Sequence, residues 1–480
     1  MDQGSVRLGV APYCSRRAGG RFKFGHLSRL GPVCQVCYTH KVSGIPAIML
    51  VIVSVVLALL LLARDRSSPV TWTLWMWVAI GVVQILQPIS LASVTGAASA
   101  ICGIGLLCLA LPTIIFGSAG STQVNHGEVH SSYSRYVVIT VIFLVLGVIA
   151  AVAFQDRIAT IAGSDFGSLS AQQVRLAQNS RSQTQDALGI LSVSYPILAC
   201  LGVFGAVRYA KVWILVAVAA LALTLPSPAR TQTLSVAVSA VVFWLYIRGT
   251  SRVIEAPSAM NSAPRKKRFP WVWIMALLVI ALIFFNAVGA SLSKTGTGVE
   301  SQDWLPQSLV SPVAYFAAGV PALGVALSSG VNPFDWGTSV YSILRIAHVF
   351  SPEVQVPNTI GAFVYAPMPF NVYTGFGQTY FDLGLVGLIV LFVVFGGCVR
   401  VAHGRASSGQ VQWAWVCAVA TAVLLSLPQA FRGLALDIDV EVVVGFVVMK
   451  LLVQPKEDVG HSVGGQADGK MRSQLSTRGV

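Results

Sequence analysis

The chain has 480 residues, 55% of them hydrophobic and only 10% charged, against about 25% charged in soluble domains. A mean hydropathy of +0.73 leaves too little polar surface to coat a water-soluble globule. That excludes disordered, fibrous and disulfide-rich secreted classes and leaves an all-α polytopic membrane protein. The net charge of +14, from 32 Lys+Arg against 18 Asp+Glu, then bears on membrane sidedness and lipid headgroups rather than on nucleic acid.

Apolar runs long enough to cross about 30 Å of hydrocarbon as helix recur along the chain. Eleven are predicted, in a range of 10–12, at 45–63, 70–87, 92–117, 135–154, 188–207, 211–225, 229–248, 270–290, 383–402, 412–430 and 438–454. The runs lack the dyad alternation of a barrel, so helices are expected throughout. The organisation reads as an N-terminal extension 1–48, eight spans over 49–290, a loop 291–382, three spans over 383–454 and a disordered tail 455–480.

The basic cluster at 249–269, ending in Pro264-Arg265-Lys266-Lys267-Arg268, is expected on the cytoplasmic side. Threading from it puts 64–69, 118–135, 207–211, 400–411 and the tail inside, and the loops 155–187 and 291–382 outside. Between Ala63 and Leu436 this gives 13 Lys+Arg inside and 7 outside. Residues 1–44 are basic yet fall outside, and they have no signal-peptide form. The segment before Met49 therefore reads as an upstream extension of the coding start.

Cys102, Cys108, Cys200, Cys398 and Cys417 lie in predicted spans and read as packing residues. Cys34-x-x-Cys37-x-x-His40 is half a zinc pattern without its second half, so no metal is expected. No P-loop, dinucleotide fingerprint or HExxH is present, and no cofactor is implied.

Seven basic residues face outward in this threading, and six are arginine: Arg157, Arg175, Arg181, Arg230, Arg345 and Arg432, with Lys294. A guanidinium fork suits phosphate and diphosphate. Arg230 follows Ser227-Pro228, a helix-start signature, so it stands at the positive end of a helix dipole. A cation is unfavourable there unless an anion binds both it and the free N–H groups; snorkelling to headgroups is the alternative. Arg175 shares a helical face with Gln172 and Asn179. Arg345 and His348, three residues apart, share a face in Ser342–Phe350, and His348 is a candidate general base or a packing histidine. Asp335, beside Trp336, suits either a sugar contact or an Asx-turn.

The block Pro369-Phe370-Asn371-Val372-Tyr373-Thr374-Gly375-Phe376-Gly377-Gln378-Thr379-Tyr380-Phe381-Asp382-Leu383-Gly384 precedes a long apolar run. It resembles the signature before a late span in bacterial oligosaccharide repeat-unit polymerases, the O-antigen (Wzy-type) group. Arg230-Thr231 opening a middle span, and a large outer loop in the second half, are similar to that group as well. The resemblance implies an enzyme of the bacterial plasma membrane. It would transfer a glycan from its undecaprenyl-diphosphate carrier to a fresh lipid-linked repeat unit, beside a chain-length regulator and a flippase. Outward arginines (Arg230, Arg175, Arg345) would neutralise the leaving diphosphate, and His348, Asp335 or Asp382 would take the acceptor's proton. Asn371, Tyr373, Thr374, Gln378 and Tyr380, with Asp382, would line the substrate site. An aromatic belt explains the two tyrosines equally well, and Asp382 is also a natural N-cap for the following span. A glycan ligase, a transporter or flippase of lipid-linked sugars and a scaffold remain as alternatives.

Overall fold

The computed structural model describes residues 44–117, 132–170, 173–174, 177, 190–226, 230–254, 302, 304–330, 332–334, 336–357, 364–366 and 369–453. The described chain is helical: α1 Ile45–Arg64, α2 Pro69–Leu86, α3 Gly96–Phe116, α4 Tyr133–Ala162, α5 Ser194–Arg208, α6 Ile214–Thr224, α7 Arg230–Ile254, α8 Gln307–Ala317, α9 Gly319–Ser329, α10 Tyr341–Phe350, α11 Gly375–Ser407, α12 Val411–Ser426 and α13 Leu436–Leu452. Among the described residues a single two-residue antiparallel pair, β1 Val364–Tyr365 with β2 Pro369–Phe370, lies between α10 and α11.

Every predicted apolar run except 270–290, which lies outside the described residues, falls on a helix. Fewer than eleven qualify as crossings. Among the described residues, six helices are long and apolar enough to span a membrane, or seven if α8 and α9 are taken as one bent span. Hydropathy records how far an apolar run extends but not where its helix stops. α12, for example, ends at Ser426, and Leu427-Pro428 follow within the same apolar run. Apolar side chains such as Ile48, Ile52, Leu59, Val141, Val145 and Val152 stay exposed on α1 and α4, the surface a bilayer would cover.

The segment 291–382 was expected as a loop, but its described part is largely helical. α8 and α9 meet at a 47° bend. The N–H of Gln302, before the pair, donates to Pro88 O at 2.9 Å. Asn332, after it, reaches Phe381 O at 3.5 Å. Both flanks are thus tied to the end of the bundle where α2 finishes, and the pair does not traverse it.

The chain reverses inside α11. Phe376 and Phe392 are sixteen residues apart, about 24 Å on a straight helix, yet their ring centroids are 4.6 Å apart. The turning point is Gly384, at φ 67°, ψ −171°, a conformation that side chains with a Cβ avoid. A short first limb therefore starts among Trp77 of α2 and Gly105 of α3, near the middle of both helices, and runs outward. The second limb returns through the bundle against α3, where a Cβ at Gly396 would stand 2.3 Å from Leu109 O. Trp77, Phe376, Phe392 and Phe431 form a continuous aromatic core, with ring centroids 5.3, 4.6 and 5.2 Å apart in that order.

The two ends of the bundle differ in charge. One gathers Arg64, Arg135, Arg208, Arg248, Arg400 and Arg405. There Arg64 donates to Ile114 O, Arg400 to Gly117 O at 3.0 Å and Arg135 to Leu451 O at 3.1 Å. The same end holds a buried polar chain. His403 Nε2 meets Asp65 at 2.9 Å, Tyr246 Oη meets His403 Nδ1 at 2.5 Å, and Cys417 Sγ donates to Tyr246 Oη at 3.0 Å. The opposite end carries α8–α10, the β pair, the Gly384 turn and the segment between α12 and α13.

Candidate functional site

At that opposite end, three chain segments converge on Arg432. α7 starts at Arg230, and its first turn is tied to the end of α6 by the Thr224 and Thr233 hydroxyls, 2.7 Å apart. The α12–α13 connection is pinned by Gln378, whose Oε1 accepts from Phe431 N at 3.1 Å. Arg432, the next residue, pairs with Asp437 in the first turn of α13, their side chains 33% and 43% exposed. α13 opens with Asp437 and Asp439, acids placed at the favourable end of a helix dipole. α10 lies over this junction, where Ser342 N donates to Leu434 O at 3.3 Å and the Ser342 hydroxyl uses the same acceptor.

Two adjoining cavities flank Arg432. One, open to solvent, lies between α7 and α12 and includes Ser235, Ser426, Gln429 and Arg432. The other, also open, includes Ser192, Gln232, Ser235, Arg432, Asp437 and Glu441. Glu441 is only 6% exposed, and its Oε1 has no hydrogen-bond partner. Tyr341 of α10 is buried nearby. Burial pushes its phenol above the ordinary range; Arg345 opposes that rise and Asp437 adds to it. Arg345, Tyr341 and Asp437 therefore belong to one electrostatic neighbourhood. The site can hold an anion on its arginines and hydroxyl-bearing groups on its amides, serines and carboxylates.

The sequence-predicted residues distribute unevenly around this site. Arg345 and His348 lie on α10, and the backbone of Arg230 stands two residues before the cavity residue Gln232. His348 Nδ1 is 2.7 Å from Val354 O. A carbonyl only accepts, so Nδ1 carries the proton and Nε2 is the basic nitrogen of the neutral ring. Arg175 and Asp335 lie outside the described residues.

The 371–384 block differs most from expectation. Tyr373 and Thr374 are fully buried, and Gln378 and Asp382 are nearly so. Thr374 caps α11 by accepting from Gly377 N at 3.0 Å. Tyr373 packs on Phe334, ring centroids 5.3 Å apart. Asp382 does not cap the following span, because the chain turns at Gly384. Its carboxylate instead accepts from Gly337 N and, at 2.5 Å, from Ser339 N. Asn371 and Tyr380 are half-buried, with Tyr380 against Phe381. The block's polar groups mostly bind the protein's own backbone rather than line a cavity.

Arg432 was read from sequence only as one of the outward arginines, and the cavity residues Gln232 and Glu441 had no role assigned. A signal was available for Glu441. Asp437-x-Asp439-x-Glu441 places three acids at the start of an apolar run, where ionisable residues are costly without a function. Among known proteins, no family model, curated sequence or solved structure matches the chain.

Proposed function

We propose that this protein polymerises undecaprenyl-diphosphate-linked oligosaccharide repeat units on the outer face of the bacterial plasma membrane. The observation that carries the reading is the convergence of Arg432, Asp437 and Gln232 of the first turn of α7 around one pair of cavities, with the Arg345 helix fastened over the adjoining α12–α13 junction. That site is at the end opposite the arginine-rich one. The positive-inside rule would make the arginine-rich end cytoplasmic and the site extracytoplasmic. A diphosphate entering from the outer leaflet would take Arg432 from Asp437, an exchange made easy because both side chains are partly exposed. The free N–H groups of the first turn of α7 would add to its hold. As the sugar leaves its carrier, negative charge grows on the diphosphate, and fixed arginines stabilise that charge most in the transition state.

The test is reconstitution. The purified chain in proteoliposomes, given a lipid-linked repeat unit and no nucleotide sugar, should produce a ladder of lengthened glycans. A product capped once on a different acceptor, with no ladder, would instead identify a ligase.

A further inference from the structure

We propose that Glu441 accepts the proton of the acceptor sugar's hydroxyl, a step that rests on the polymerase reading above. A buried polar atom without a partner is rare and calls for a physical reason. Glu441 Oε1 is such an atom, on a side chain that lines a cavity with Ser192, Gln232 and Arg432. Two other acids at this end are committed: Asp437 holds Arg432, and both oxygens of Asp382 accept backbone N–H groups. Asp437 and Glu441 stand four residues apart, on one face of α13. The face that presents a carboxylate to the arginine therefore presents a second one, with an unpartnered Oε1, a turn deeper.

The step balances. The acceptor oxygen bonds to the anomeric carbon of the donor glycan, and the bond from that carbon to the diphosphate oxygen breaks. The electron pair leaves with the diphosphate, held at Arg432, and the acceptor's proton passes to the Glu441 carboxylate. Gln232 and Ser192 are placed to orient the acceptor hydroxyls beside it.

Glu441→Gln keeps the shape and removes the base. In proteoliposomes where the wild-type chain makes a ladder, it should lower the turnover rate by about 100-fold. KM for the lipid-linked unit should hold, and the acid limb of the wild-type pH–rate profile should disappear. Glu441→Ala should be equally slow and recover in part with added formate, a rescue that a merely structural role would not show. A ladder from Glu441→Gln within about threefold of wild type would overturn the proposal while leaving the polymerase reading intact. Formate without effect on well-folded Glu441→Ala would also overturn it. A folded wild-type chain that makes no ladder would sink the polymerase reading, and this step with it.

Discussion

Arg432 lines both cavities and the polymerase reading also calls on Arg230, so the shape of the cation would matter as well as its charge. Arg432→Lys keeps the charge and loses the fork. It should slow ladder formation in proteoliposomes nearly as much as Arg432→Ala, by about 10- to 100-fold, the worth of one charge-assisted contact realised in the transition state. Arg230→Lys should behave alike, and near-normal ladders from a well-folded Arg432→Ala protein would remove this arginine from the diphosphate site. Asp382 makes a contrasting prediction. Its carboxylate holds two backbone N–H groups of the turn at 337–339, so Asp382→Ala should destabilise the protein by about 2–3 kcal/mol. The loss would be read as a lower melting temperature in detergent and earlier proteolysis near Trp336. The contrast also shows what sequence could convey here. Asn371, Thr374, Gln378 and Asp382 stand out as polar groups in an apolar setting, and that setting demands partners. Whether the partner is a ligand or the backbone of Phe431 or Ser339 depends on contacts 53 and 43 residues away, which local pattern does not contain.

At the scale of elements, adjacent glycines in α11 separate packing from propensity. A Cβ at Gly396 would press into the backbone of α3 at Leu109, whereas one at Gly397 would meet nothing within 4 Å. Gly396→Ala should force α3 and α11 apart and cost about 1–3 kcal/mol. Gly397→Ala should be neutral or stabilising by up to about 1 kcal/mol, from helix propensity alone. Melting of the two variants side by side measures this, and equal effects would contradict the close approach of the helices. The sequence made the second limb of α11 plain, as a long apolar run closed by basic residues. It concealed the hairpin, because Gly375–Leu383 has helix-compatible composition and the reversal depends on a single φ. The Gly384 conformation and the Phe376–Phe392 contact define that reversal, and neither leaves a mark on hydropathy.

Taken as a whole molecule, the bundle is fastened at its arginine-rich end by Asp65, His403, Tyr246 and Cys417, which join the end of α1 to α11, α7 and α12. Burial raises the Asp65 carboxyl, but the hydrogen bond and charge of His403 outweigh it, and the group is held below the ordinary carboxylate range. A carboxyl depressed in the folded state contributes stability that is fully present above its unfolded pKa and lost as pH falls through the folded one. Asp65→Asn should therefore cost about 3 kcal/mol at neutral pH. The difference from wild type should close in strong acid, as followed by melting in detergent across pH. A constant difference at every pH would show that the loss is one of packing. By the positive-inside rule the same end would set the orientation of the chain, which decides whether the Arg432 site can meet a substrate outside the cell. Ser407, at the arginine-rich end, and Ser351, beyond α10, are both exposed. In a background without native cysteines, Ser351→Cys should react with a membrane-impermeant thiol reagent applied to intact cells. Ser407→Cys should react only after permeabilisation. The reverse pattern would place Arg345, Arg432 and Glu441 on the cytoplasmic face, where a diphosphate carrier presented in the outer leaflet could not reach them, and the polymerase reading would fail on geometry alone.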